Sequence, residues 1–369
     1  MAEADEGGQR FIPLADYQAP SLPGEEWFRR LIDRAKTLLG APAPAAAERR
    51  LHPPTKATLD FVAAPPACGP LCAELDRTIA AWLADTPALS TSKLVVLPPG
   101  DEESLLAAWA TQAGHQILPS PPRATLVALP RAAPPDLDGE ALLVIPRLEE
   151  WFLRHRNGLA AVRALLGAVT QSRRPIVIGC NSWAWSFLCK AVSADQLLLD
   201  AVTFAPFDEI RLQHWLAPMA SPMRVQRATD GSDVLAADAD GGLVDDFFRT
   251  LASRSHGIPW VAWHLWRRSL RADDDDAATL FVVVPEEFSL PSKHEQTALL
   301  VLHALLIHGT LDIASLRLVL PIVGESNILA SLVASGLVER QDGRFAVAPI
   351  AYPSIRSALA QAGLPLDGF

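Results

Sequence analysis

The chain has 369 residues, half of them hydrophobic, and a formal net charge of −10 at pH 7. This length supports two or three domains with sizeable cores. The negative balance argues against broad, non-specific binding to nucleic acid or anionic membrane.

The opening Met1–Glu6 is acidic and polar, the reverse of a secretory signal. The longest apolar stretch, Ala298–Ile307, is interrupted by His303 and reaches about half of the ~20 residues needed to cross a bilayer. A cytoplasmic protein without a membrane-crossing segment is expected, and its excess of arginine over lysine is compatible with a GC-rich bacterial source. The four cysteines, Cys68, Cys72, Cys180 and Cys189, give one C-x3-C pair and no second pair at ligand spacing. Reduced, buried thiols are the expectation, with no metal site.

Residues 1–65 read as an extended arm with one short helical pattern over Glu25–Leu39 and a Pro/Ala-rich linker at Ala41–Ala47. From 66 to 215 the pattern is α/β. A helix is predicted over Leu71–Leu83. Apolar runs of strand length follow at Lys93–Leu97, Ala124–Leu129, Ala141–Ile145, Pro175–Gly179 and Ala201–Phe204. Helical stretches at Ser104–Ala113, Glu149–Val169 and Ala184–Ser193 separate most of them. Buried strands alternating with helices imply a parallel sheet covered on both faces. Residues 216–290 read as a helical lid and linker, in which the acidic run Asp273–Asp276 is a surface loop.

Residues 291–369 form a compact module. Helices are predicted over Ser292–Ile307, Asp312–Leu320 and Ser326–Ser335. The runs Leu337–Arg340 and Arg344–Val347 flank Gln341-Asp342-Gly343, a strong hairpin signal. Three helices and a hairpin predict a winged helix–turn–helix. Its third helix carries no lysine or arginine, and Arg340 and Arg344 on the wing are the nearby cations, so the basic footprint of a DNA reader is thin.

The passage after the first strand carries the argument on function. Leu94-Val95-Val96-Leu97 is followed by Pro98-Pro99-Gly100-Asp101-Glu102-Glu103-Ser104 and then a helix. A working phosphate loop needs glycines where backbone meets phosphate, a lysine to neutralise it and a hydroxyl for magnesium. Here the second glycine position holds Glu102 and the lysine position holds Glu103; Gly100 and Ser104 match. After Leu142–Ile145, the magnesium-binding acid is replaced by Pro146 and the catalytic glutamate by Arg147. Glu149 and Glu150 lie further on, in the predicted helix, and are not expected to replace them. Ile176–Gly179 leads to Asn181 at a polar sensor position, and Val202–Glu209 leads into a helix through a Pro-aromatic-acidic passage. Ser255–Pro259 gives a Gly-x-Pro turn into another helix.

In order and spacing these segments resemble an AAA+/STAND-type P-loop ATPase whose catalytic chemistry has been lost. The resemblance covers about residues 70–270. It implies a parallel five-stranded P-loop NTPase-like core with a helical lid, followed by the winged helix–turn–helix. It implies no catalytic residue, no metal site and no bound ATP or ADP with magnesium. It is compatible with homo-oligomers and with a peripheral role at a membrane or transporter complex.

Two clusters are candidate partner-binding surfaces: Arg147, Arg154, His155 and Arg156 on one predicted helix and its edge, and Trp183 with Trp185 after Asn181. A solvated helix face and core packing are the plainer readings. Trp260, Trp263 and Trp266 are expected to pack on one helix face. The function expected is that of an inactive scaffold or adaptor acting through protein binding. Two alternatives stay open: a nucleotide-binding switch without hydrolysis, using backbone amides near Gly100, Ser104 and Asn181, and a DNA-binding transcriptional regulator.

Overall fold

A computed structural model describes residues 10–21, 50–85, 91–128, 132–236, 242–291 and 295–369. The expected helix at Glu25–Leu39 and the linker Ala41–Ala47 lie outside the described residues. The chain divides into two compact units. The first joins residues 1–17, 70–205 and 287–369; the second joins 18–69 and 206–286.

The first unit is built on a mixed α/β layer whose central sheet is largely parallel. Across the sheet the strands run Phe11–Pro13, Val202–Phe204, Ser92–Leu97, Ile176–Asn181, Leu143–Ile145 and Gln116–Ile117. The last five are mutually parallel, and numbered along the chain they stand in the order 5-1-4-3-2. The central strands are nearly continuous apolar runs because helices cover both faces. Leu94–Leu97 and all of Ile176–Asn181 are buried. Phe11–Pro13 adds an antiparallel edge with Phe11 opposite Phe204. Pro13 in that strand lacks a backbone donor and blunts the edge against further pairing.

Three of the five predicted parallel strands fall where their apolar runs place them. Ala141–Ile145 shortens to Leu143–Ile145. Ala124–Leu129 is not a strand: Arg123–Leu126 is a single helical turn entered from Pro122. The strand in that place is the two-residue Gln116–Ile117. The predicted helix Glu149–Val169 is also corrected. Leu148–Trp151 is a 3-10 turn, residues 152–159 form an irregular loop, and the helix is Ala160–Gln171. Gly158 is needed in that loop, since a Cβ there would stand 2.2 Å from the Leu153 carbonyl oxygen.

The C-terminal part of the first unit contains helices Glu295–His308, Ile313–Val319 and Ile328–Ala334, with a three-stranded antiparallel sheet. Its strands are ordered Thr310–Asp312, Arg344–Val347, Val338–Gln341. Asp342 and Gly343 turn the hairpin with φ of 50° and 78°, the left-handed pair that a tight two-residue turn requires. Helix Tyr352–Gln361 and the segment 364–369 complete the unit.

The second unit departs from the expected helical lid and linker by including a sheet. Helices Lys56–Val62, Glu209–Ala220, Phe247–Arg254 and Pro259–Ser269 accompany a four-stranded sheet. That sheet runs Leu51–His52, Leu270–Asp273, Asp276–Val282, Arg224–Arg227. The acidic run is the turn of its central hairpin: Asp273 pairs with Asp276, and Leu280–Val282 supply the buried residues that make the following stretch a strand. The Gly-x-Pro turn enters its helix with Gly257 at φ 72° and Pro259 in the first turn, where its missing N–H costs nothing. Trp260 and Trp266 are buried, and Trp266 stacks on Phe248 at 5.8 Å. Trp263 departs from the expected common face; it lies under the Arg267 guanidinium, 4.5 Å from the ring centroid.

Candidate functional site

The parallel strands of the first unit reverse their order of travel beside Ser92–Leu97, and open α/β sheets bind ligands outside the carboxyl ends of strands at such a point. A cavity of about 450 Å³ lies there, bordered by Leu97–Glu102, Pro146, Arg147, Glu149 and Asn181. The opposite wall comes from the C-terminal part: Leu305 and Leu306 of one helix, and Glu339, Asp342, Arg344 and Val347 of the hairpin.

Three amides at the end of the loop after the first strand are taken up within the loop itself. Gly100, at φ 92°, makes the turn that any side chain would strain. Glu102 N donates to the Gly100 carbonyl at 2.9 Å, and Ser104 N to the Asp101 carbonyl at 3.3 Å. Asp101 Oδ2 accepts from Leu105 N at 2.7 Å. A carboxylate of the chain thus sits on the amide of a helix N-terminus, the kind of place where an incoming anion would bind. Ser104 is left-handed, at φ 51°, and its hydroxyl makes no cap. Arg147 donates from Nη2 to the Asp101 carbonyl oxygen at 2.6 Å.

Pro146 is fixed by its neighbour strand: a Cβ on Gly179 would fall 2.2 Å from the Pro146 carbonyl oxygen. Asn181 works in both directions. Its Oδ1 accepts from Ala184 N at 2.7 Å and so caps helix Ser182–Val192. Its Nδ2 donates to the Ile307 carbonyl at 3.3 Å, and its backbone N donates to Glu149 Oε2 at 3.1 Å. Glu149 is therefore a site residue that the sequence pattern placed on a helix and discounted; it is buried at the cavity wall. No periodic signal in the sequence pointed to it: the adjacent Leu148 and Glu149 are both buried, with Trp151, in a 3-10 turn.

The electrostatics are acidic. Asp101, Glu102, Glu149, Glu150, Glu339 and Asp342 line the cavity against Arg147 and Arg344. Burial raises the Glu149 carboxyl, with Arg147 pulling the other way. Glu102 is pushed up to about 6 by desolvation and then by the charges of Glu339, Glu103 and Asp101. Desolvation also raises Glu339 and, together with the charge of Asp101, Glu103. Carboxylates held close in partly desolvated surroundings resist joint ionisation, and the same field disfavours a triphosphate.

The two expected partner-binding clusters are dispersed. Arg154, His155 and Arg156 lie in the loop before Ala160–Gln171, so they do not share a helix face. Arg154 turns inward, with Nη1 3.5 Å from His303 Nδ1; His155 Nδ1 accepts from Asn157 N at 3.3 Å; Arg156 is exposed. Arg147 serves the loop as above. Trp183 and Trp185 are buried and form no surface patch. Trp183 Nε1 donates to the Tyr352 hydroxyl at 3.3 Å and its ring meets His303 edge-on.

Those contacts belong to a buried polar seam along the core side of the C-terminal part. Arg123 Nη2 donates to the His308 carbonyl at 2.8 Å. Arg154 N donates to His308 Nε2 at 3.2 Å. Ser182 Oγ and the Tyr352 hydroxyl donate to Asp367 Oδ2 at 2.5 and 3.1 Å, while Arg356 Nε reaches Oδ1 at 3.2 Å. Phe369 packs on Tyr17, with ring centroids 4.4 Å apart.

Among the described residues no group of three or more His, Cys, Asp or Glu could hold a metal ion, and no helix is long and apolar enough to cross a membrane. No protein-family model and no curated protein matches the chain. Solved structures with a remote likeness include a chain of Drosophila ORC bound to DNA, at 15% identity and TM-score 0.36, covering 89% of this chain and 99% of that one. Cdc6p from Pyrobaculum aerophilum follows at 13% identity and TM-score 0.29, covering 89% and 99%. A RuvB variant from Thermotoga maritima matches at 14% identity and TM-score 0.33, covering 79% and 94%. At these values no residue's role carries over from them.

Proposed function

We propose that the chain is a catalytically inactive, P-loop-ATPase-like scaffold that acts by binding protein, with the C-terminal winged helix as part of its structural body. The observation that carries this reading is Asp101 Oδ2 on Leu105 N at 2.7 Å. The helix N-terminus that would receive a phosphate already holds a carboxyl oxygen of the chain, one that burial raises and that the Arg147 charge and the amide bonds pull back. The amides of Glu102, Ser104 and Asn181 are likewise committed to Gly100, Asp101 and Glu149. A nucleotide would have to break these bonds and enter a cavity lined by six carboxylates and two arginines. The strand order 5-1-4-3-2 supports the P-loop-like part of the reading.

The same geometry disfavours a DNA-reading wing. Helix Ile328–Ala334 contains no cation, and Arg344 on the hairpin faces the cavity. Phosphate neutralisation supplies most DNA affinity, and little is left here to supply it.

The test is calorimetric titration of the full chain with ATP and with ADP, each with magnesium, alongside a thermal melt. The expected result is no saturable heat and no shift of the melt at millimolar nucleotide. Saturable binding that Asp101→Ala strengthens or Ser104→Ala abolishes would overturn the proposal. Salt-sensitive binding of duplex DNA to the full chain, lost in Arg340→Ala with Arg344→Ala, would promote the regulator instead.

A further inference from the structure

Helix Glu295–His308 presents two buried histidines to the α/β core, and what meets them there is cationic. His308 is 1% exposed. Its Nε2 accepts from the backbone N of Arg154 at 3.2 Å, its Nδ1 stands 3.5 Å from Nη1 of Arg123, and Phe152 lies against its ring at 5.0 Å. Five residues earlier, His303 Nδ1 stands 3.5 Å from Nη1 of Arg154, and its ring meets Trp183 in a T-shaped contact with centroids 5.6 Å apart. The carboxylates on this seam act elsewhere: Glu149, Glu150 and Asp312 offset the charge of Arg123, and Asp367 binds Ser182, Tyr352 and Arg356. None of them is hydrogen-bonded to either imidazole among the described contacts.

We propose that this seam is an acid-sensitive latch: protonation of His303 and His308 places two further charges beside Arg123 and Arg154 and releases the C-terminal part from the core. Neutral imidazole is the form that the contacts require. His308 Nε2 is an acceptor of the Arg154 amide and cannot accept once protonated. Buried like charges without an intervening carboxylate cannot be accommodated cheaply.

The direction follows from linkage. Burial, then the Arg154 charge, pushes His303 down to about 4, against a weaker opposite pull from the Pro365 backbone. Burial and then Arg123 and Arg154 hold His308 well below the usual imidazole range. In the released state both rings return to about 6.5 and take up protons that the docked state refuses. Docking is thus fully favoured above about pH 6.5 and weakens as pH falls below it. His303 alone favours release about 30-fold at pH 5.0 relative to pH 7.5, and His308 adds in the same sense. Burial raises Glu149 and Asp367, so their protonation favours docking in acid and opposes the two histidines, as does that of Glu102 against Glu339.

The experiment is hydrogen exchange of the full chain at pH 7.5 and 5.0, with labelling times scaled to intrinsic amide rates. Expected is a loss of protection of about 30-fold or more in Glu295–His308, while Ser92–Leu97 and Ile176–Asn181 hold theirs. His303→Gln combined with His308→Gln should bring the loss below about threefold. Unchanged protection in the wild-type chain, an equal loss in the core strands, or an equal loss in the double variant would each overturn the latch. A measurement free of variants is the NMR titration of the two rings in the wild-type chain. Rings that stay neutral until the helix opens support the latch; titration near 6.5 with the helix still protected overturns it. This inference is independent of nucleotide binding, so its failure would leave the scaffold reading standing.

Discussion

The carbonyl oxygen of Pro146 lies 2.2 Å from where a Cβ on Gly179 would stand, so two neighbouring strands meet at a point that only glycine permits. Gly179→Ala should destabilise the chain by about 1–3 kcal/mol, because the obstacle is backbone and cannot rotate away. Gly167, in helix Ala160–Gln171, has nothing within 4 Å of the same construction. Gly167→Ala should stabilise by about 0.4–1 kcal/mol. Urea denaturation of the two variants side by side checks the opposite signs; equal effects would contradict the packing described.

Asn181 both caps a helix and donates to Ile307. Asn181→Ala should cost about 2 kcal/mol, combining a lost cap with an unsatisfied buried carbonyl. Asn181→Asp keeps the cap acceptor but sets a carboxylate against the Ile307 carbonyl and Glu149. It should be restored toward wild-type stability as pH falls from 7 to 5. A melt recorded across that range distinguishes the two variants.

Glu102 and Glu339 repel across the cavity, and Glu102 is raised to about 6. A carboxyl raised in the folded state favours folding while protonated, and that benefit is lost as pH climbs from about 4.5 past 6. Glu102→Gln should therefore raise Tm at pH 7.5 and leave it nearly unchanged at pH 4.5. This slope is opposite in sign to that of His303 and His308, so the two effects separate by variant.

Asp367 is fully buried as a side chain and accepts from three groups. Asp367→Ala leaves Arg356 and two hydroxyls without their acceptor, at a cost of about 3 kcal/mol. Chemical denaturation of the variant measures the loss, and proteolysis should then reach the Leu364–Phe369 segment first.

The strands at Ser92–Leu97, Ile176–Asn181 and Val202–Phe204 were legible because an unbroken apolar run flanked by polar residues has one economical reading in an α/β chain. Ala124–Leu129 misled for the same reason: its composition suits a strand, but Pro121 and Pro122 set the chain into a helical turn. Gln116–Ile117 is too short to carry a period. Asp273–Asp276 concealed a hairpin because charges at a turn resemble charges in a loop. Glu102, Glu103 and Pro146 stood out as departures from a known spacing. Glu149 and the pair His303 and His308 did not, since what surrounds them comes from segments distant in the chain: Asn181 and Gly309 for Glu149, Arg123, Arg154 and Trp183 for the histidines.

The ring of Phe369 against Tyr17 has a kinetic consequence. The first unit is assembled from three stretches, 1–17, 70–205 and 287–369, with the second unit occupying the gaps. Its edge strand, its sheet and its polar seam are joined across most of the chain's length, and contacts of that separation close slowly. During synthesis the core strands appear well before the helix that covers their carboxyl ends. Leu94–Leu97 and Asn181 then wait, partly uncovered, until Glu295–His308 is made and shuts them in.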